Sequence, residues 1–221
     1  MIKYYKKNII AITDTNTIFI WKPIDKNKYQ FITKIELDLN DEDIFVFEQY
    51  NILLSSYFDN LFIFNLKKDK IEKIDKNNSN LKELTVRAAI SFYENNILFL
   101  SGIFDFCEFG FINLSIYNIR EKKVIRNKEL DFYIYEYGGD FTQLIKYYKK
   151  KEVIILCGGK KEMKNDVYNN IYIYDRDFKL NQILEKIHYK NILGLSIYER
   201  GINDLIISYS EDGEIFFYSI N

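Results

Sequence analysis

One phrase recurs along this chain and dictates what it can fold into. Its clearest copy is Leu205-Ile-Ile-Ser-Tyr-Ser-Glu-Asp-Gly-Glu-Ile-Phe-Phe-Tyr218, an apolar run, a turn on Asp212-Gly213 and a second apolar run that closes on an aromatic residue. Asp-Gly between two such runs is hairpin chemistry, because both residues tolerate the backbone that a tight turn demands. The closing aromatic returns as Trp21, Phe64, Tyr117, Tyr174 and Tyr218, at intervals of 43, 53, 57 and 44 residues. Periods of this size mean a repeated unit that cannot bury its own faces and must stack on its neighbours. In places the repetition is nearly literal: Ile2-Lys-Tyr-Tyr-Lys-Lys7 reappears as Ile145-Lys-Tyr-Tyr-Lys-Lys150, which sets Met1 inside the first strand of a copy and not in a leader.

Each copy divides into short strands. They are expected at 2–5, 8–13, 17–21 and 29–37 in the first copy, and at 43–48, 52–56, 61–64 and 70–74 in the second. The third has 85–92, 97–101, 112–117 and 123–130, and the fourth 141–148, 153–157, 170–174 and 180–187. The fifth has only three, 193–198, 205–208 and 215–218. The repeat units therefore run 1–37, 43–74, 85–130, 141–187 and 193–221 within a single domain.

No helical periodicity interrupts this pattern, so the chain reads as all-β. The second strand of each copy is apolar at successive positions, as in Ile97-Leu-Phe-Leu100 and Val153-Ile-Ile-Leu156. A strand of that kind must be covered on both faces, and four-stranded sheets stacked around an axis provide the cover. The expected fold is a β-propeller of about five four-stranded blades, the last without its outer strand. No segment before Ile2 is placed to supply that strand, so the ring either closes without a latch or is open, and another chain completes it.

Ser210-Glu-Asp-Gly-Glu-Ile-Phe-Phe-Tyr218 resembles the WD-repeat signature, with Tyr218 where that family usually has Trp, and Asp14 to Trp21 resembles it with the Trp intact. The fourth copy is also similar to kelch, through Leu156-Cys-Gly-Gly159 and Ile171-Tyr-Ile-Tyr-Asp175. A divergent WD-like propeller is the first choice. The resemblance departs from the family at one point: the Gly-His pair, and the His of the family's buried hydrogen-bond network, are expected to be missing from every copy. The single histidine, His188, heads no recognisable signature and reads as a surface or capping residue. The shortage of Gly (9), His (1) and Trp (1) beside abundant Lys, Asn, Ile, Tyr and Phe is what AT-rich codon usage produces, and it erodes signatures without changing strand pattern.

Charge excludes some functions. Thirty-one Lys and Arg nearly cancel 32 Asp and Glu, so no global field draws the chain to nucleic acid or an anionic membrane. Two cysteines, Cys107 and Cys157, lie too far apart in sequence for a CxxC metal site and are too few for a disulfide framework. No apolar run is long enough to span a bilayer. A soluble intracellular protein, cytoplasmic or nuclear, is the expectation.

Function is sought in the loops. In a propeller the connections between second and third strands, and those between successive blades, emerge on one face. The extra residues of the long intervals fall there, at 102–111, 131–140 and 158–169. The first loop carries Phe104, Phe106, Phe109 and Phe111, the second Tyr133, Tyr135 and Tyr137, and the third Lys160, Lys161 and Lys164. Aromatic anchors beside cations suit a protein or peptide interface. The same alternation also fits extended hairpins packed on their own blades. The expected protein is therefore a non-catalytic scaffold or complex subunit that needs no cofactor or metal. The rival readings are an enzyme with carboxylates such as Asp43 or Asp140 at the axis, and a component of a ribonucleoprotein assembly. Cys157 reads as a buried strand residue, not a reactive thiol. Asn77-Asn-Ser79 and Asn113-Leu-Ser115 match the glycosylation pattern by chance.

Overall fold

In a computed structural model, which describes residues 2–5, 8–12, 17–26, 28–36, 44–47, 52–57, 60–65, 70–74, 86–102, 112–132, 141–159, 169–201 and 203–220, nineteen strands form five antiparallel sheets. The first blade is β1 (Ile2–Tyr5), β2 (Asn8–Ile12), β3 (Thr17–Asp25) and β4 (Lys28–Glu36). The second is β5 (Ile44–Phe47), β6 (Ile52–Tyr57), β7 (Asn60–Asn65) and β8 (Lys70–Ile74). The third is β9 (Val86–Ser91), β10 (Asn96–Gly102), β11 (Ile112–Asn118) and β12 (Lys123–Leu130). The fourth is β13 (Ile145–Tyr148), β14 (Val153–Gly159), β15 (Asn169–Asp175) and β16 (Leu180–His188). The fifth has three strands, β17 (Ile192–Tyr198), β18 (Leu205–Ser210) and β19 (Ile215–Ser219). Within every blade the strands pair in sequence order, so each blade is a meander built from local hairpins.

Two strands differ by four residues from the expected bounds, and most of the others by one or two. The segment expected as one strand at 141–148 is a 3-10 turn, Phe141–Leu144, followed by β13. The ladder with β14 ends at Ile145 opposite Leu156, and the Leu144 carbonyl turns instead to accept the Cys157 thiol at 3.5 Å. β3 runs past Trp21 to Asp25 because β4 is long enough to pair with it, and its register shifts next to Pro23, which has no N–H to give the ladder.

The unbroken apolar runs behave as expected where a blade has two neighbours. β10 and β14 are buried at every position. Between the third and fourth blades the core interlocks through aromatic pairs: the Phe132 ring stacks on Tyr172 at 3.8 Å, and Phe92 meets Tyr147 at 4.5 Å. The outer strand β12 alternates exposed and partly buried residues, and its half-buried cations reach the next blade. Lys128 Nζ donates to the Phe178 carbonyl at 2.8 Å and lies 4.7 Å from the Tyr174 ring centre, while Arg126 Nη1 donates to the Arg176 carbonyl at 3.1 Å and pairs with Asp177.

The fifth blade is covered on one face only. Ile206, Ser208 and Ser210 of β18 are buried, whereas Leu205 and Ile207 are half-buried and Tyr209 is exposed. Among the described residues, no strand pairs with the outer side of β19. No helix among them is long and apolar enough to cross a membrane.

Candidate functional site

The residues expected to form a binding surface, Phe104, Phe106, Phe109, Phe111, Tyr133, Tyr135, Tyr137, Lys160, Lys161 and Lys164, all lie outside the described residues. So do Asp43, Asp140 and Cys107. The strands that flank these loops are described. Gly102, Ile112, Gly159 and Asn169 are all buried strand ends, and the Asn169 amide donates to the Lys190 carbonyl at 2.7 Å.

What the structure brings together is a cluster where the fourth blade meets the fifth. His188, the last residue of β16, is fully buried, with Nε2 2.9 Å from Ser208 Oγ on β18 and Nδ1 3.2 Å from Asp212 Oδ2 in the following turn. The carboxylate accepts only, so Nδ1–H donates to it, while Nε2 shares a hydrogen bond with the serine hydroxyl. The turn is built for this. The other Asp212 oxygen accepts the Glu214 N–H at 2.9 Å, Gly213 takes φ +82°, and the Gly213 N–H closes on the Ser210 carbonyl at 3.1 Å. Burial pulls the Asp212 carboxyl up, but the Glu214 N–H and the His188 side chain outweigh it and hold the group below its usual range. The Phe216 ring packs edge-on against the imidazole at 4.9 Å.

His188 corrects the sequence reading on both counts. It is neither a surface nor a capping residue, and the buried histidine network expected to be missing from every copy is present once, ahead of the fifth. It is there alone because His188 is the chain's single histidine. Two residues beyond the position facing each closing aromatic stand Ala11, Ser55, Phe99, Leu156 and Ser208 in the five central strands. Three of these side chains have no hydroxyl to offer a ring nitrogen.

Ser, His and Asp in this order have the connectivity of a nucleophilic triad, but the site cannot work as one. Ser208 and His188 are both 0% exposed, so a substrate has no path to the hydroxyl. Among the described residues, His188, Asp212 and Glu214 are also the one group with three metal-ligand atoms close together, within 4.8 Å of one another. Both ring nitrogens are already engaged, and an ion on Nδ1 would have to displace the Asp212 bond. The arrangement is a clamp between blades.

A second clamp lies lower on the same junction. The nearly buried Asp204, at the entrance to β18, accepts from the Arg200 N–H at 2.7 Å, the Gly201 N–H at 3.1 Å and the Tyr148 hydroxyl of the fourth blade, with Lys150 Nζ at 3.4 Å. The Tyr148 hydroxyl bond leads the causes that hold this carboxyl at about 2, below its ordinary 3.8, and burial opposes it. Lys151 Nζ donates to the Ile220 carbonyl at 2.7 Å, tying the end of the fifth blade to the same turn.

Cys157 is sealed in β14, as expected, and burial pushes its thiol well up. Asn113 is buried in the central part of the third sheet, 9% exposed, so a glycan has no access to it.

The other face of the fifth blade carries exposed apolar side chains. Phe217 and Ile215 are 62% and 59% exposed, while the residues in the same register of the fourth blade, Ile173 and Ile171, are 6% and 0%. Ile116 and Leu114, their counterparts in the third blade, are fully buried.

No protein-family model and no curated protein sequence matches the chain. Solved structures do. Its whole length superposes on a chain of the mitotic checkpoint complex at a TM-score of 0.67 and 10% identity, over 62% of that chain. The WD40 β-propeller domain of Doa1 matches 97% of it at a TM-score of 0.57 and 14% identity, again over 62% of the neighbour. The extracellular domain of BT4673 from B. thetaiotaomicron matches 99% at a TM-score of 0.53 and 13% identity, over 27% of that chain. The chain thus spans under two thirds of the length of each of these neighbours. At such identities the likeness is one of fold: an all-β, WD-repeat-like propeller.

Proposed function

We propose that this chain is a non-catalytic interaction subunit, a propeller that holds a protein partner on the face bearing the loops at 102–111, 131–140 and 158–169. Phe104, Phe106, Phe109, Tyr133, Tyr135 and Tyr137 are its aromatic anchors, with Lys160 and Lys161 at the rim. It works inside the cell without a cofactor, and a further partner completes the fifth blade.

One observation carries the reading. In the polar cluster most like a catalytic site, Ser208, His188 and Asp212, the serine and the histidine are sealed, and the cluster joins two blades. The described blades put their polar chemistry into rigidity, which is what a scaffold requires of the elements that position its loops. Fold neighbours that include a chain of a multi-protein complex support the same reading.

The test is affinity purification of the tagged chain from its native source, with Phe106→Ala/Tyr135→Ala alongside the wild type. The proposal expects the variant to lose its main partner while keeping the wild-type melting temperature. Equal recovery by both proteins would remove the site assignment, and a partner lost on nuclease treatment would move the chain to a ribonucleoprotein assembly.

A further inference from the structure

In the second, third and fourth blades the third strand ends one residue past its closing aromatic, at Asn65, Asn118 and Asp175. In two of them the side chain at that position shapes the turn. Asn118 Oδ1 accepts the Glu121 N–H at 2.8 Å, and Asp175 Oδ1 accepts the N–H groups of Asp177 and Lys179 at 2.9 Å, so each bends the chain out of the ladder. In the first blade the residue after Trp21 is Lys22, which has no acceptor to offer. The ladder therefore continues, pairing Lys22 with Gln30, Pro23 with Tyr29 and Asp25 with Lys28. β3 ends at Asp25, four residues past Trp21, and the first blade carries a two-stranded arm that the second, third and fourth lack.

The arm presents a specific surface. Ile24 is the extra residue of a bulge between the Pro23–Tyr29 and Asp25–Lys28 pairs, and it stands 66% exposed. A bulge re-aims the side chain that it takes out of the ladder. Around it Lys22, Lys26 and Lys28 are exposed, whereas the arm's single carboxylate, Asp25, accepts the Lys26 N–H at 2.6 Å and so closes the tip. Three cations to one anion, in a chain of formal charge −1, make the arm a local positive field. Connections in a meander alternate ends, so the tip leaves the propeller on the face opposite to the loops at 102–111 and 158–169. These features arise from strand pairing inside one blade and hold whatever lies beside that blade.

We infer that the β3–β4 arm is a second docking element, which seats Ile24 in an apolar pocket of an acidic partner protein and sets Lys22, Lys26 and Lys28 against carboxylates at the pocket's rim. The buried aliphatic anchor supplies affinity, and the cations supply approach and orientation. A hairpin paired to its tip is already ordered, so binding costs little conformational entropy. An anionic membrane fits less well. One isoleucine buries too little apolar area to hold a chain at a bilayer, where even a whole acyl chain binds only marginally. The inference rests on the reading of the chain as an interaction subunit, but on none of its loop residues.

The probe is a random copolymer of glutamate and leucine, which offers carboxylates and apolar side chains together, titrated against the full chain. Trp21, the chain's single tryptophan, stands at the base of the arm, so its fluorescence reports binding there. Saturable binding is expected, weakened about tenfold by Ile24→Ser and lost with Lys22→Glu/Lys26→Glu/Lys28→Glu. All four side chains are exposed, so the melting temperature should hold. Polyglutamate without leucine should bind more weakly than the copolymer, and both affinities should fall with added salt. Absence of saturable binding, or binding indifferent to either variant, overturns the inference. So does tighter binding to phosphatidylserine vesicles that Ile24→Ser abolishes, since the occupant would then be a membrane. The loop variant Phe106→Ala/Tyr135→Ala should bind the copolymer like the wild type, so either proposal can fail without the other.

Discussion

The imidazole of His188 and the hydroxyl of Ser208 meet at 2.9 Å across the boundary between two blades, with no exposed surface on either residue. A contact of this kind, like the Asp204 bonds at the same junction, adds polar links to units that also pack by apolar area. It makes the fourth and fifth blades a cooperative pair.

Replacing His188 by alanine should therefore cost about 2–4 kcal/mol, since it opens a cavity and strands both the Ser208 hydroxyl and the Asp212 carboxylate. Urea unfolding measures it. Ser208→Ala should cost about 1 kcal/mol, and the double variant less than the sum of the two. Additive costs would mean that the two groups do not act together.

Asp204 gives the acid limb of stability a defined contributor. Its carboxyl is held at about 2 in the folded chain, below its ordinary 3.8, so the unfolded chain binds the proton first as pH falls. The stabilisation is complete above about pH 4 and is lost as pH drops toward 2. Asp204→Asn should be less stable than the wild type at neutral pH, and the gap between their urea midpoints should narrow across that window. A constant gap would assign the low value to some other cause.

Gly194 lies opposite Tyr209 in the β17–β18 ladder, and a Cβ there would meet the outer ring atoms at 2.5–2.6 Å. Gly194→Ala must push the ring aside and break the Tyr209 hydroxyl bond to Gln143. Because the obstacle is the free end of a partly exposed side chain, the cost should stay near 1 kcal/mol. Tyr209→Ser beside Gly194→Ala should recover part of it in thermal melts.

Cys157 should resist alkylation in the folded chain, because only the thiolate reacts and burial disfavours it. Iodoacetamide followed by mass spectrometry should label this residue only in denaturant. Labelling under native conditions would show that β14 opens readily.

Most of the fold was legible because hairpins are local. Each strand pairs with its sequence neighbour, and Asp-Gly, Asp-Asn and similar turns mark where it reverses. Burial was legible only in part. Val153-Ile-Ile155 and Leu205-Ile-Ile207 read alike, yet the first is sealed and the second half-open, because the difference lies in the neighbouring blade and not in the strand. The His188 clamp was missed for a related reason: its partners lie 20 and 24 residues ahead, in the next repeat. A signal was nonetheless present, since Ser208 follows an apolar run that must be buried, and a hydroxyl there needs a partner.

The corners of the hairpins carry one more consequence. The turn between the first two strands uses a left-handed residue in three successive blades, Glu94 at φ 56°, Glu152 at φ 53° and Gly201 at φ 90°. Glutamate pays about 1 kcal/mol for a conformation glycine takes freely. A stacked array tolerates such losses one unit at a time, because each blade answers chiefly to its two neighbours. The architecture thus acts as a mutational buffer, absorbing genetic drift toward a glycine-poor sequence while the overall shape persists, and the glutamate corners are where an engineer would recover the lost margin.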